Sequence, residues 1–127
     1  MRKYKSPERW KCVPGYNGKL FVSNYGEVKY VFKNGRESIK TQKVFKNGYA
    51  YISTKVHGKI KRLLVHRLVA EAFLVKASDN LEVNHKDHNK LNNNVKNLEW
   101  VTHRQNMLLW SMHRKYGYRK QVDKKIF

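Results

Sequence analysis

Apolar residues come in short blocks along the first half of the chain and shift to a helical period in the second. From Trp10 to Val31, WKCVPGYNGKLFVSNYGEVKYV, the blocks are broken by Pro14-Gly15, Asn17-Gly18 and Asn24-Tyr25-Gly26. Short apolar runs bounded by turn residues predict short strands. Asn34-Gly35, Asn47-Gly48 and His57-Gly58 are pairs that favour two-residue hairpin turns, with KVFK and YAYISTKV as strands between them. In the second of these, Ala50, Ile52, Thr54 and Val56 share an apolar face, and Tyr49, Tyr51, Ser53 and Lys55 share a face suited to phosphates or bases.

The period then changes. In VHRLVAEAF, residues Val65, Leu68, Val69, Ala72 and Phe73 fall at i, i+3, i+4, i+7 and i+8, the stripe of a helix laid on a core. A loop from Lys76 to Asn80 leads into the strand LEVNH, and residues 98–101, LEWV, read as its partner across a long polar connection from Asp87 to Asn97. Thr102 and Gln105 have the spacing of a capping box, so a helix is expected from His103 to Lys115 with Gly117 as its stop. Beyond it, YRKQVDKKIF shows no period.

Length and composition bound the class. A chain of 127 residues with 40% apolar and 13% aromatic residues is expected to fold as one domain with a real core. A single cysteine, Cys12, excludes a disulfide framework and fits a reducing compartment. The first residues, MRKYKSPERWK, lack the apolar run of a signal peptide, and no segment reaches the ~20 apolar residues of a membrane span. The expectation is a cytoplasmic protein with no membrane partner.

Charge narrows the partner. The net charge is +19, from 28 Lys and Arg against 9 Asp and Glu, which points to a polyanion and above all to nucleic acid. The charge is uneven: Val28–Arg67 holds eleven basic residues and one acid, whereas Glu71–Glu99 holds five of the nine acids. That less basic centre contains VNHKDHNKLNNNVKNLEWVTHRQN, residues 83–106, with seven asparagines and three of the six histidines. Asparagine favours turns over strand and helix interiors, so this stretch asks for another explanation.

Residues 81–115 read as strand, polar loop, strand, helix, with His85 ending the first strand and Asn106 on the helix. This arrangement resembles the ββα-metal element of the HNH nucleases, with His85, Asn97 and Asn106 at the motif positions. ERWKCVPGYNGKLFVSNYGEV is similar to the N-terminal module that precedes HNH domains in phage and intron-encoded homing endonucleases, and the resemblance runs from about residue 8 to 106. The family often has Asp before the motif histidine, where this chain has Asn84, and His three residues after the last motif position, where it has Leu109. The expected fold is α+β: a β-hairpin-rich DNA-binding module over residues 1–60, the ββα-metal nuclease domain over 61–116 and a basic tail over 117–127.

The resemblance implies a metal-dependent DNA endonuclease. Phosphodiester hydrolysis needs a base for water and a cation for the charge developing on phosphate. His85 is then the general base, Asn97 fixes the loop and orients its ring, and Asn84 and Asn106 offer oxygens to Mg²⁺ or Mn²⁺. Asn89, Asn92, Asn93 and Asn94 are expected to shape the loop, with Asp87 in its turn. His113 reads as a solvent or phosphate contact, His66 and His57 as structural, and Trp100 and Trp110 as core. Double-stranded DNA is the expected partner, held by Lys43, Lys46, Lys55, Lys59, Lys61 and Arg62 on the hairpins, by Arg67, and by Arg104, Arg114 and Lys115 on the last helix. A homodimer or second protein would supply target recognition. The composition equally fits a non-catalytic nucleic-acid-binding protein, and without further cysteines His85, His88 and His103 argue poorly for zinc.

Overall fold

The computed structural model describes residues 6–116; the 117–127 tail and the Gly117 stop lie outside them. Three antiparallel sheets follow one another along the chain. The first is a meander of β1 (Trp10–Cys12), β2 (Leu20–Ser23), β3 (Val28–Val31) and β4 (Glu37–Ile39). The second joins β5 (Lys43–Val44), β6 (Ala50–Val56) and β7 (Lys59–Leu64), and β7 passes straight into α1 (Val65–Phe73). The third is the hairpin of β8 (Leu81–His85) and β9 (Leu98–Thr102), followed by α2 (His103–Tyr116).

The apolar faces of all three sheets meet at α1. Leu20, Val22 and Val28 of the first sheet, Ala50 and Ile52 of the second, Val65 and Val69 of α1, and Val83 and Leu98 of the third belong to one buried cluster. A single core thus runs under all three sheets, and the expected division at residue 60 falls inside β7. Leu64 precedes α1 with no side-chain cap, so this helix depends on the packing of its apolar stripe, as short helices generally do. Among the described residues, no helix is long and apolar enough to cross a membrane.

The turns correct one expectation. His57 and Gly58 both have positive φ, 50° and 78°, and join the paired residues Val56 and Lys59 as a two-residue turn. Asn34-Gly35 and Asn47-Gly48 do not. There the Gly35 amide bonds the Phe32 carbonyl and the Phe32 amide bonds the Arg36 carbonyl, with φ +88° at Gly35 only. This is a three-residue loop with glycine in the left-handed position. The same pair of bonds links Phe45, Gly48 and Tyr49, and also Ser23, Gly26 and Glu27. Asn34 and Asn47 stay out of the left-handed region and accept from the amides two residues on, an alternative role for asparagine in turns. Phe45 and Lys46, expected in a strand, are absorbed into such a turn, which cuts β5 to two residues.

Candidate active site

The site lies around the end of β8. Pairing sets Asn84 opposite Glu99 and His85 opposite Leu98, and strand alternation puts Glu82 and Asn84 on one face. The capping box forms in both directions: Thr102 Oγ1 accepts from the Gln105 amide at 3.1 Å, and Gln105 Oε1 accepts from the Thr102 amide at 2.9 Å. That start fixes the first turns of α2 over Glu82. His103 Nδ1 donates to Glu82 Oε2 at 2.7 Å, and Asn106 Nδ2 donates to Oε1 at 2.9 Å. The bond from Asn106, aided by His103, holds the Glu82 carboxyl below its usual range. Asn84 Nδ2 donates to Glu99 Oε2 at 2.8 Å. Both asparagines are left with a buried Oδ1 that has no partner.

On the neighbouring position His85 is 2% exposed, with Nε2 2.7 Å from Asn93 Oδ1. An amide oxygen only accepts, so Nε2 carries the proton and Nδ1 the lone pair. Burial pulls the His85 ring below the ordinary imidazole range, and the Asn93 bond opposes this. The rings of His66 and Tyr49 lie 5.2 and 5.9 Å from it, centroid to centroid. Burial and then the Glu82 charge push the Tyr49 hydroxyl up.

His66 is buried with an unpaired Nδ1. Burial first, and then the neighbouring His85 and Arg67, lower it to about 3. The unfolded chain takes up this proton at about 6.5 and the folded chain only near 3, so the contribution to stability is complete above pH 6.5 and shrinks as pH falls toward 3. Relative to His66→Gln, wild type should lose about 2 kcal/mol between pH 6.5 and 5. Urea unfolding of both proteins at the two pH values measures it, and parallel curves would refute a neutral buried His66.

The loop from Lys86 to Asn97 is held by its own asparagines. Asn97 is its brace: Oδ1 accepts from the Asp87 amide at 3.1 Å, and Nδ2 donates to Asp87 Oδ1 and the Asn92 carbonyl, both at 2.9 Å. Asp87 also accepts from the Asn89 amide and Asn92 Nδ2. Burial works against its charge, but these bonds leave the carboxyl below its ordinary value. Asn94 caps the turn at residues 95–97 by accepting from the Lys96 amide. The first two sheets support this loop from outside: Lys90 Nζ donates to the Asn47 carbonyl and lies over the Tyr49 and Trp110 rings, and the Val95 amide donates to the Asn24 carbonyl.

Hard oxygen donors without partners, an acidic neighbour and an imidazole lone pair fit a divalent cation beside a hydrolytic base. Among the described residues no three His, Cys, Asp or Glu side chains converge on a metal position, so a cation would rest on amide oxygens, water and substrate phosphate, a coordination Mg²⁺ accepts. Comparison with known proteins identifies the element. Residues 63–108 match the family described as HNH endonuclease, and residues 8–55 the NUMOD4 motif.

Residues 63–108 are an HNH endonuclease domain.

The chain is similar to DNA endonuclease I-HmuI of Bacillus phage SP01, with 46% identity over 98 residues, covering 77% of this chain and 55% of the relative. It is also similar to H-N-H endonuclease F-TflII of Escherichia phage T5, with 37% identity over 97 residues, covering 75% of this chain and 48% of the relative. A solved structure of the HNH homing endonuclease I-HmuI, described as DNA binding and cleavage, matches with a TM-score of 0.72 at 39% identity over 86% of this chain and 59% of that one. The chain therefore spans about half the length of these two curated relatives.

Within the HNH element the three motif residues do not form one contact. Among the described residues no hydrogen bond joins His85 to Asn106: the imidazole faces Asn93, and Asn106 reaches β8 at Glu82. Asn97 bonds within the loop, and the partner of the His85 ring is Asn93, which the sequence reading left as loop structure. Asn84 lies on β8 and bonds Glu99 of β9, and Asn106 reaches the same face of β8 through Glu82. His113 stacks on His88 at 4.1 Å, and Trp110 meets His88 edge-on at 4.4 Å, so both cover the loop.

The ten basic residues expected to hold DNA are all exposed. Arg62 lies over the Tyr51 ring, on the outer face of the second sheet. Sequence reasoning missed Tyr49, His66, Glu82, Asn93 and Glu99. Two of these had a signal: Glu82 stands two residues before Asn84 in a strand, and pairing LEVNH with LEWV brings Glu99 beside it.

Proposed function

We propose that this chain is a phage-type homing DNA endonuclease that uses Mg²⁺ or Mn²⁺ to hydrolyse phosphodiester bonds in double-stranded DNA, nicking it or cutting both strands. The observation that carries this reading is the pair of buried, partnerless amide oxygens on Asn84 and Asn106, with His85 on the residue after Asn84 held through Nε2 by Asn93. The relatives' descriptions as a DNA endonuclease and an H-N-H endonuclease agree with it.

His85 takes the proton of the attacking water at Nδ1, while Asn93 keeps the other nitrogen protonated and the ring in place. Asn84 and Asn106 hold the cation through Oδ1. When bound, it neutralises charge on the scissile phosphate and the leaving 3′ oxygen. Asn97 and Asp87 keep the loop closed around the base. Arg104 on α2 and the lysines of β6 and β7 bind phosphates and set the register of the duplex. A second copy or another protein completes target recognition, and the reaction takes place in the cytoplasm of the host.

Supercoiled plasmid incubated with the purified chain tests this directly. Nicked or linear product is expected with Mg²⁺ or Mn²⁺ and none with chelator. A chain that shifts DNA in a gel yet leaves it intact under every divalent ion is a nucleic-acid-binding protein instead.

A further inference from the structure

Each of the two candidate cation ligands donates to a carboxylate, and this settles more than position. An ionised carboxylate offers acceptors only, so an amide beside it must present its NH₂ group and turn its oxygen away. Asn84 Nδ2 lies 2.8 Å from Glu99 Oε2, and Asn106 Nδ2 lies 2.9 Å from Glu82 Oε1. The opposite flip of either amide would bring oxygen against oxygen at the same separation. Glu99 is held opposite Asn84 by the register of β8 and β9; Glu82 is held beneath α2 by Asn106 together with His103.

The result is that both carbonyl oxygens point away from their only paired neighbour and are buried without a partner. Asn84 is 1% exposed, so bulk solvent does not reach its oxygen. Leaving a buried carbonyl unpaired is destabilising, and a fold that holds two of them in fixed orientation has them arranged for a ligand that accepts oxygen donors.

We infer that Glu82 and Glu99 are positioning residues that lock the amides of Asn106 and Asn84 with their carbonyl oxygens turned toward the cation. The inference rests on the reading of those two asparagines as cation ligands. It assigns a task to carboxylates that need not touch the metal, and it explains how uncharged ligands serve here: their dipoles are oriented in advance, so binding requires no rotation of either amide.

Mn²⁺ binding by the metal-free chain, read by electron paramagnetic resonance of the free ion, tests it without reference to cleavage. Glu82→Gln and Glu99→Gln each keep shape but replace the acceptor-only group with one that tolerates either flip. Each should weaken Mn²⁺ affinity about 10–100-fold, the range seen when groups supporting metal ligands are lost. Glu71→Gln removes the same charge from an exposed position on α1 and should change nothing. The exchange Asn84→Asp with Glu99→Gln restores a donor–acceptor pair with the roles reversed, at wild-type net charge, and should recover most of the loss.

Wild-type affinity in both single variants overturns the inference, as does an equal loss in Glu71→Gln; either leaves the cation site standing. No Mn²⁺ uptake by the wild-type chain removes the cation site itself. Should a single Glu→Gln variant fail to fold by circular dichroism, the exchange variant decides: a folded chain that binds Mn²⁺ supports the locking role, and a folded chain that does not overturns it.

Discussion

His85→Ala lowers the rate of plasmid cleavage by about 10²–10⁴-fold, the range for a lost general base, and leaves DNA affinity at the wild-type level. The expectation follows from the tautomer. Asn93 Oδ1 occupies the Nε2 side at 2.7 Å, so the ring has one nitrogen for chemistry, and burial keeps that nitrogen unprotonated. Neither His66 nor His103 substitutes: His66 is buried with its ring centroid 5.2 Å away, and His103 is engaged by Glu82. DNA affinity is expected to stay because the cations proposed to bind phosphates are exposed on the hairpins and α2, away from the buried ring.

A truncated core histidine also loosens its surroundings, so the rate alone does not separate chemistry from damage. His85→Gln separates them, since its amide can still donate to Asn93 but supplies no base. If His85→Gln cleaves like wild type while His85→Ala does not, the ring is a packing element and the general-base assignment fails. If both lose cleavage and both melt within a few degrees of wild type, the imbalance between rate and stability belongs to the chemistry.

How much of this was legible beforehand depended on how far apart in the chain the cooperating residues lie. The capping box at Thr102 and Gln105 was readable because its donors and acceptors sit within four residues. The stripe on α1 was readable because a helix repeats its face locally. The Asn-Gly pairs announced sharp turns correctly, but whether two or three residues make the turn depends on where the flanking strands pair, which a dipeptide does not carry. The surroundings of His85 were hidden for the same reason on a larger scale: Tyr49 and His66 come from 36 and 19 residues upstream and meet the ring only because β6, α1 and β8 share one core. Asn93 sat in a run of three asparagines with nothing to mark which one faces inward. Loop spacing names candidates, and only packing selects among them.

The same packing ties a turn glycine of the first sheet to the residue that holds the proposed base. Gly26 has φ +89°, and a Cβ placed on it would lie 2.9 Å from the Asn93 carbonyl oxygen and 3.0 Å from the Asn93 Cβ. Gly35 holds the equivalent place in the same kind of turn with φ +88°, but nothing lies within 4 Å of its Cβ position. Gly35→Ala therefore incurs the left-handed backbone penalty alone, about 1–2 kcal/mol. Gly26→Ala incurs that penalty and the overlap with Asn93, which adds about 1–3 kcal/mol for an overpacked contact. The difference in urea midpoints between the two variants isolates the contact. Because Asn93 orients His85, only Gly26→Ala should also slow cleavage, by shifting the imidazole away from its working position. Equal stability losses, or a cleavage rate for Gly26→Ala matching that of Gly35→Ala, would mean that Asn93 yields without moving the base and that the first sheet supports the HNH element without tuning it.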